Sequence, residues 1–396
     1  MAEIDIIRIK EIALNLAKET DSLEKRYFLE EVRIGKEPRI KVLRGFRGVG
    51  KTTGLLQLMQ KSELRRSIYL SMDHPYVEGF RLYALCKELA KNGYEVILID
   101  EIHYCSDWQK DTKALYDEFP KLDIVVSGSA PLAFQEERRY EIIEVEPMSL
   151  REFSGLQGKK TEATESWMNV EETLGFLATN PWLHEYFDNY TRNGGGFPVY
   201  FRYKEKTLAA IYSSIRKSIR EDAIFFAHVD GEMIRGMEKM LIMLASAYAG
   251  EFSVNRMSKN LGLTRYKAYE IVSLLQAMKI LRLVTPYGRG AKLVRGEPKL
   301  LFYHPNLRCA ICEAIGLKPD IGALREELAV FCLKRRGWQV HTIKGMKRSP
   351  DFVIEKGERR IIIEIGGMSK GAAQLAGLSG ETLVLNERQL ITLAFF

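Results

Sequence analysis

Cysteine is scarce in this sequence. Five are present, at 86, 105, 309, 312 and 332. An odd, scattered set suits reduced thiols and excludes a disulfide scaffold. Cys309 and Cys312 form one C-x-x-C pair with no second pair, half of what a structural zinc site needs, so they read as buried helix thiols. Long apolar runs are missing too, which excludes a membrane-spanning helix. The N-terminus, Met1-Ala2-Glu3-Ile4-Asp5, is acidic where a secretory leader would be basic and then apolar. The expectation is a cytoplasmic protein without a membrane partner. Acidic residues are sparse between Glu251 and Lys299, where three face ten Lys or Arg. That stretch alone matches the net charge of +7 carried by the whole chain. The basic excess therefore belongs to one module.

What is present is a mixed globular composition, 46% hydrophobic and 28% charged. A chain of 396 residues exceeds one compact core, so several domains are expected.

The stretch Gly45-Phe46-Arg47-Gly48-Val49-Gly50-Lys51-Thr52-Thr53 fits G-x-x-x-x-G-K-[ST]. Apolar Ile40–Leu43 leads in as a strand, and Leu55–Met59 continues as a helix. Glycines let successive N–H groups curl round phosphates. The cofactor-binding set is Gly45, Arg47, Gly48, Val49, Gly50, Lys51, Thr52 and Thr53. Lys51 would reach the β- and γ-phosphates of ATP, and the Thr52 hydroxyl would hold Mg²⁺. About fifty residues on, Val96-Ile97-Leu98-Ile99-Asp100-Glu101 reads as a buried parallel strand ending in two carboxylates. Asp100 is the second metal residue, and Glu101 the candidate that polarises water.

Strand and helix alternate from Arg39 to Val145, which predicts a parallel sheet with helices on both faces. Ser127, in Ser127-Gly128-Ser129 after the next strand, is either a phosphate or water contact or part of a plain turn, with Ser129 second. Arg138 and Arg139 precede the last strand. Arg139 either reaches the γ-phosphate, from its own or a neighbouring subunit, or is solvated surface charge.

Residues 232–305 read as three helices and a β-ribbon, a winged-helix pattern. Its third helix would present Arg265 and Lys267, and its wing Arg289, Lys292 and Arg295. That arrangement suits contact with DNA or another nucleic acid. A winged helix packed as an interdomain lid is the alternative.

The first domain resembles the AAA-superfamily ATPases of archaea and bacteria that carry a nuclease-like C-terminal domain. The resemblance rests on Arg44–Thr53, on Leu98–His103 with Trp108, and on Val126–Ser129. It rests also on Arg139 eight residues before Pro147, and on Gly195-Gly196-Phe197-Pro198. It implies ATP hydrolysis coupled to a conformational change. The tail looks like the restriction-endonuclease-like fold, carried by Glu326, Pro350-Asp351 and Glu364-Ile365-Gly366. Those three carboxylates are candidate ligands for a divalent metal. Active members place Lys where Gly366 stands, and Lys370 would need another approach, so the expectation is a domain that does not cut DNA.

The reading is an α/β chain. It comprises N-terminal helices at 1–36, a P-loop ATPase domain at 37–150 and a helical lid at 151–230. A winged helix at 231–306 and a small α/β endonuclease-like domain at 318–396 complete it. A homo-oligomer or a protein partner is left open.

Overall fold

The computed structural model describes residues 4–61, 66–77, 79–129, 138–225, 229–248, 253–288, 297–343, 350–366, 375 and 379–396. The chain divides into two compact units, 1–146 with 221–228, and 147–220 with 229–396.

The first unit opens with α1 (Ile6–Lys18), capped by Asp5, whose carboxylate accepts the Arg8 N–H. Strand β1 (Ile40–Gly45) runs into α2 (Lys51–Met59), followed by β2 (Ser67–Ser71), α3 (Leu82–Lys91) and β3 (Val96–Asp100). Then come α4 (Trp108–Glu118), β4 (Asp123–Ser129) and β5 (Tyr140–Glu144). The sheet order is β2-β3-β4-β1-β5, with every neighbouring pair parallel. All five residues of β3 are buried, which is why its first four, Val96–Ile99, are apolar. Side chains alternate across the sheet. Ile40, Val42, Ile97, Ile99, Ile124 and Val126 share one core with Leu85, Leu89, Trp108 and Leu115 of α3 and α4. The register pairs Gly45 with Ser129 and Ser71 with Asp100, so the C-terminal strand ends lie along one edge.

The second unit begins with five helices: α5 (Leu150–Gly155), α6 (Val170–Thr179), α7 (Leu183–Arg192), α8 (Val199–Tyr203) and α9 (Thr207–Lys217). Three more follow: α10 (Gly231–Ala245), α11 (Val254–Asn260) and α12 (Arg265–Ala277). An antiparallel pair comes next, β6 (Leu281–Val284) and β7 (Lys299–Phe302). Helices α13 (Pro305–Ala314) and α14 (Ile321–Arg335) lead to a second sheet. Its strands are β8 (Gln339–Thr342), β9 (Phe352–Lys356), β10 (Arg359–Ile365) and β11 (Glu381–Leu385), and α15 (Glu387–Ala394) ends the chain. The order is β11-β10-β9-β8, with β10 and β11 parallel and the other pairs antiparallel.

One apolar cluster joins what the sequence pattern divides into a lid, a winged helix and a tail. Phe153, Trp167 and Tyr190 of the first helices share it with Val284 and Leu301 of the hairpin and with Phe331, Phe352 and Ile363. A fully buried ion pair reinforces the join. Arg308 Nη2 lies 2.8 Å from Glu327 Oε1, and Arg308 Nη1 donates to the carbonyls of Leu244 and Ala245. Burial of that charge is tolerable because its donors are matched. Among the described residues, no helix is long and apolar enough to cross a membrane.

Candidate functional site

The loop between β1 and α2 has the backbone its glycines predict. Gly48 and Gly50 take φ of +89° and +97°, the left-handed region where a side chain is strained. Gly45 is needed for a different reason. A Cβ built there would lie 2.1 Å from the Val145 carbonyl oxygen. Lys51 opens α2, and its ammonium turns back over the loop to donate to the carbonyls of Gly45 (2.8 Å) and Phe46 (3.1 Å). Thr52 is exposed, Thr53 half-buried and Val49 fully buried.

Asp100, 2% exposed, ends β3 one strand from β4. The Tyr69 hydroxyl donates to its Oδ2 at 3.0 Å, and the Ser127 hydroxyl donates to its Oδ1. The Ser127 hydroxyl is thus engaged with Asp100, where the sequence reading offers either a phosphate or water contact or part of a plain turn.

Glu101 follows with φ +50° and ψ +47°, a left-handed conformation rare for a glutamate. Strain of this kind concentrates at functional sites. Burial, together with the Asp100 charge, pushes the Glu101 carboxyl up to about 7, against the pull of Lys51 and Arg47. A general base is most effective with a pKa near the working pH. Its buried Oε2 atom accepts no hydrogen bond among the described residues and lies 3.3 Å from His103 Nδ1. Burial holds His103 down at about 4, so it faces Glu101 as a neutral ring.

These residues suit a magnesium–nucleotide complex. Gly48 and Gly50 hold the left-handed turn of the loop, Lys51 supplies a cation beside it, and Glu101 offers a buried oxygen that accepts no hydrogen bond among the described residues.

Two other expected residues are engaged by carboxylates. Arg47 Nη1 binds Asp222 Oδ1 at 2.7 Å, so this loop cation is engaged by a carboxylate 175 positions away in sequence. Arg139 precedes β5, whose Tyr140 pairs with Ile40 at the start of β1. It lies at the opposite end of the sheet from the loop, roughly 17 Å away along the five residue steps of β1. There it bonds the Asp117 carboxylate at 3.2 and 3.3 Å.

Of the expected nucleic-acid residues, Arg265 is exposed at the start of α12, beside Tyr266, which is 79% exposed. Lys267 instead pairs with Glu232 (2.5 Å) and lies 3.7 Å from Asp230. Arg289, Lys292 and Arg295 fall outside the described residues, as does Lys370.

In the second sheet, Ile365 N–H donates to Asp351 Oδ2 at 2.8 Å, and Asp351 N–H to Glu364 Oε2 at 3.1 Å. Burial and, in turn, the Asp351 charge raise the Glu326 carboxyl on α14. Burial pushes both Glu326 and Glu364 up to about 7. Lys299 of β7 reaches the group, its Nζ 2.6 Å from Glu326 Oε2. Sequence spacing gave no signal for that cation, because it comes from the hairpin. Among the described residues, no three carboxylate, histidine or cysteine side chains are arranged to hold a metal ion.

An uncharacterized protein of Methanocaldococcus jannaschii is 26% identical over 367 residues, 84% of this chain and 76% of that protein. One of Haemophilus influenzae is 27% identical over 351 residues, 82% of each. AMPPCP-bound DnaA from Aquifex aeolicus covers 68% of this chain and 88% of its own, with 14% identity and a TM-score of 0.24. Residues 184–320 match a family described as a domain of unknown function, DUF8612. Residues 37–154, which hold the loop, Asp100 and Glu101, match the family described as AAA domain.

Proposed function

We propose that this chain binds and hydrolyses ATP with Mg²⁺, and that the cycle changes the conformation of a DNA-binding winged-helix module. One observation supports the reading above others. The loop, Ser127 and Asp100 stand at the ends of three adjacent strands, β1, β4 and β3, with Glu101 next in the chain. Open α/β sheets bind ligands at that edge.

The loop N–H groups and Lys51 hold the phosphates. Thr52 and Asp100 hold the metal ion, and Ser127 with Tyr69 fixes the Asp100 carboxylate. Glu101 accepts a proton from the attacking water at Oε2. Mg²⁺, when bound, offsets charge that develops on the phosphate oxygens. In this reading α10–α12 with β6 and β7 form the winged helix, and exposed Arg265 and Tyr266 support contact with nucleic acid. The second sheet does not cut DNA in this reading. Gly366 supplies no ammonium, and Lys299 is engaged with Glu326.

The test is phosphate release with and without duplex DNA, alongside sedimentation in ATP. Lys51→Ala abolishes tight ATP binding, whereas Glu101→Gln keeps binding and stalls turnover. Equal turnover in wild type and Glu101→Gln, with ATP verified as bound, would sink the role given to Glu101. DNA-stimulated turnover supports a remodeller, and tight nucleotide-dependent DNA binding with slow turnover supports a switch. Metal-dependent cutting lost in Asp351→Ala would instead make the chain an ATP-controlled nuclease.

A further inference from the structure

Residues 221–228 belong to the first unit, although the chain on either side, at Arg220 and at Val229, belongs to the second. The described part is irregular. A π-helical turn, Ser218–Asp222, runs straight into a 3₁₀ turn, Ala223–Phe225. Isolated π turns are rare and recur at functional sites.

Three side chains of this segment reach the phosphate loop and the turn after β3. Asp222, with no solvent exposure, binds Arg47 Nη1 at 2.7 Å, and Glu221 Oε2 lies 3.7 Å from the same nitrogen. Phe225 meets the His103 ring edge-on at 5.3 Å between centroids and the Tyr104 ring at 4.9 Å. His103 in turn lies 3.3 Å from Glu101. One short segment thus touches the phosphate loop through Arg47 and the turn after β3 through His103.

We propose that Glu221–Phe225 is a latch that reports nucleotide state: Asp222 holds Arg47 until a nucleoside triphosphate enters the loop, takes Arg47 and releases the segment. The proposal rests on the nucleotide-binding reading and adds its regulation. Arg47 lies inside the loop, between Phe46 and Gly48. Its planar guanidinium suits a phosphate as well as a carboxylate. A triphosphate brings several negative charges near Arg47, and the same charges repel Asp222, which water cannot screen. The two effects act in one direction. A buried carboxylate that loses so close a cation is poorly tolerated where it stands. Phe225 is 44% exposed, so little apolar surface opposes departure. Because the segment continues covalently into Arg220 and Val229, its release is felt by chain that belongs to the second unit. By linkage, the latch must weaken triphosphate binding by the same factor that the triphosphate weakens the latch.

The test is hydrogen exchange of peptides spanning 218–225 in the full chain, with and without Mg²⁺ and a non-hydrolysable ATP analogue, with analogue binding measured by calorimetry on the same sample. The bound analogue should speed exchange there about tenfold or more, within the usual range of coupling. Arg47→Ala should exchange fast without nucleotide. Asp222→Asn should bind the analogue more tightly, by about fivefold to a hundredfold. Unchanged exchange with the analogue bound, together with unchanged affinity in Asp222→Asn, overturns the latch alone. No analogue binding by the wild-type chain overturns the nucleotide reading and the latch together.

Discussion

Ser127 donates its hydroxyl proton to Asp100 across the β3–β4 boundary, and both side chains are buried. With Tyr69 on the other oxygen, the carboxylate is gripped from two sides. Groups that orient a ligand from behind are typically worth tenfold to a hundredfold in metal affinity.

Ser127→Ala should therefore raise the Mg²⁺ concentration needed for half-maximal ATPase by about tenfold to a hundredfold. The rate at saturating Mg²⁺ should change much less. A Mg²⁺ titration of turnover checks this. A variant with normal Mg²⁺ demand and a lower maximal rate would show that Ser127 acts on phosphate or water instead.

Gly45→Ala places a methyl group against main chain. The new Cβ meets the Val145 oxygen at 2.1 Å and its carbonyl carbon at 3.1 Å. Val145 N–H also donates to the Arg44 carbonyl at 2.8 Å, so neither strand can move without loss. Destabilisation of about 1–3 kcal/mol is expected by urea unfolding, with weaker ATP binding. Unchanged stability would mean that this edge of the sheet is looser than its register implies.

Lys299→Met strands Glu326 in a buried site. Removing one partner of such a pair costs about 3–5 kcal/mol when the other stays charged. Lys299 holds the Glu326 pKa down, so without it that pKa rises beyond about 7. At pH 8 the loss should appear in urea unfolding, capped by protonation of Glu326 at about 1.4 kcal/mol per pH unit above 7. At pH 6 Glu326 takes a proton, and the loss should shrink. Glu326→Gln added to Lys299→Met should recover much of it. A loss independent of pH would point to lost contacts of the lysine stem rather than to charge.

His304 caps α13, accepting the Asn306 N–H at Nδ1, and its ring lies among Tyr190, Phe197 and Phe331. Burial, with the charges of Arg282 and Arg335, pushes it down from 6.5 to about 3. Its neutral form is thus favoured by folding. The unfolded chain binds the extra proton between those values, so stability is lost as pH falls below about 6.5. His304→Asn keeps a capping side chain but cannot titrate. The stability gap between wild type and variant should close by about 2 kcal/mol between pH 7.5 and pH 5. Parallel unfolding curves at the two pH values check it, and a constant gap would remove His304 from the acid response.

The phosphate loop and the strand ending at Asp100 were legible because each is a contiguous run whose backbone requirement is written in its own residues. Gly48 and Gly50 must permit positive φ, and Val96–Ile99 must be apolar to lie in the middle of a parallel sheet. Alternating periods likewise announced the five strands of the first unit. Side-chain partners from distant sequence were not legible. That Ser127 turns to Asp100, that Asp222 returns to claim Arg47, and that Lys299 reaches Glu326 all depend on chain returning from far away. Arg139 shows the same limit in another form. Its sequence position beside a strand is correct, but parallel register puts that end of β5 away from the loop. Local residues determine which backbone can form. Which charges meet, and at which end of a sheet, is decided only when the strands are laid side by side and burial forces each charge to find a partner.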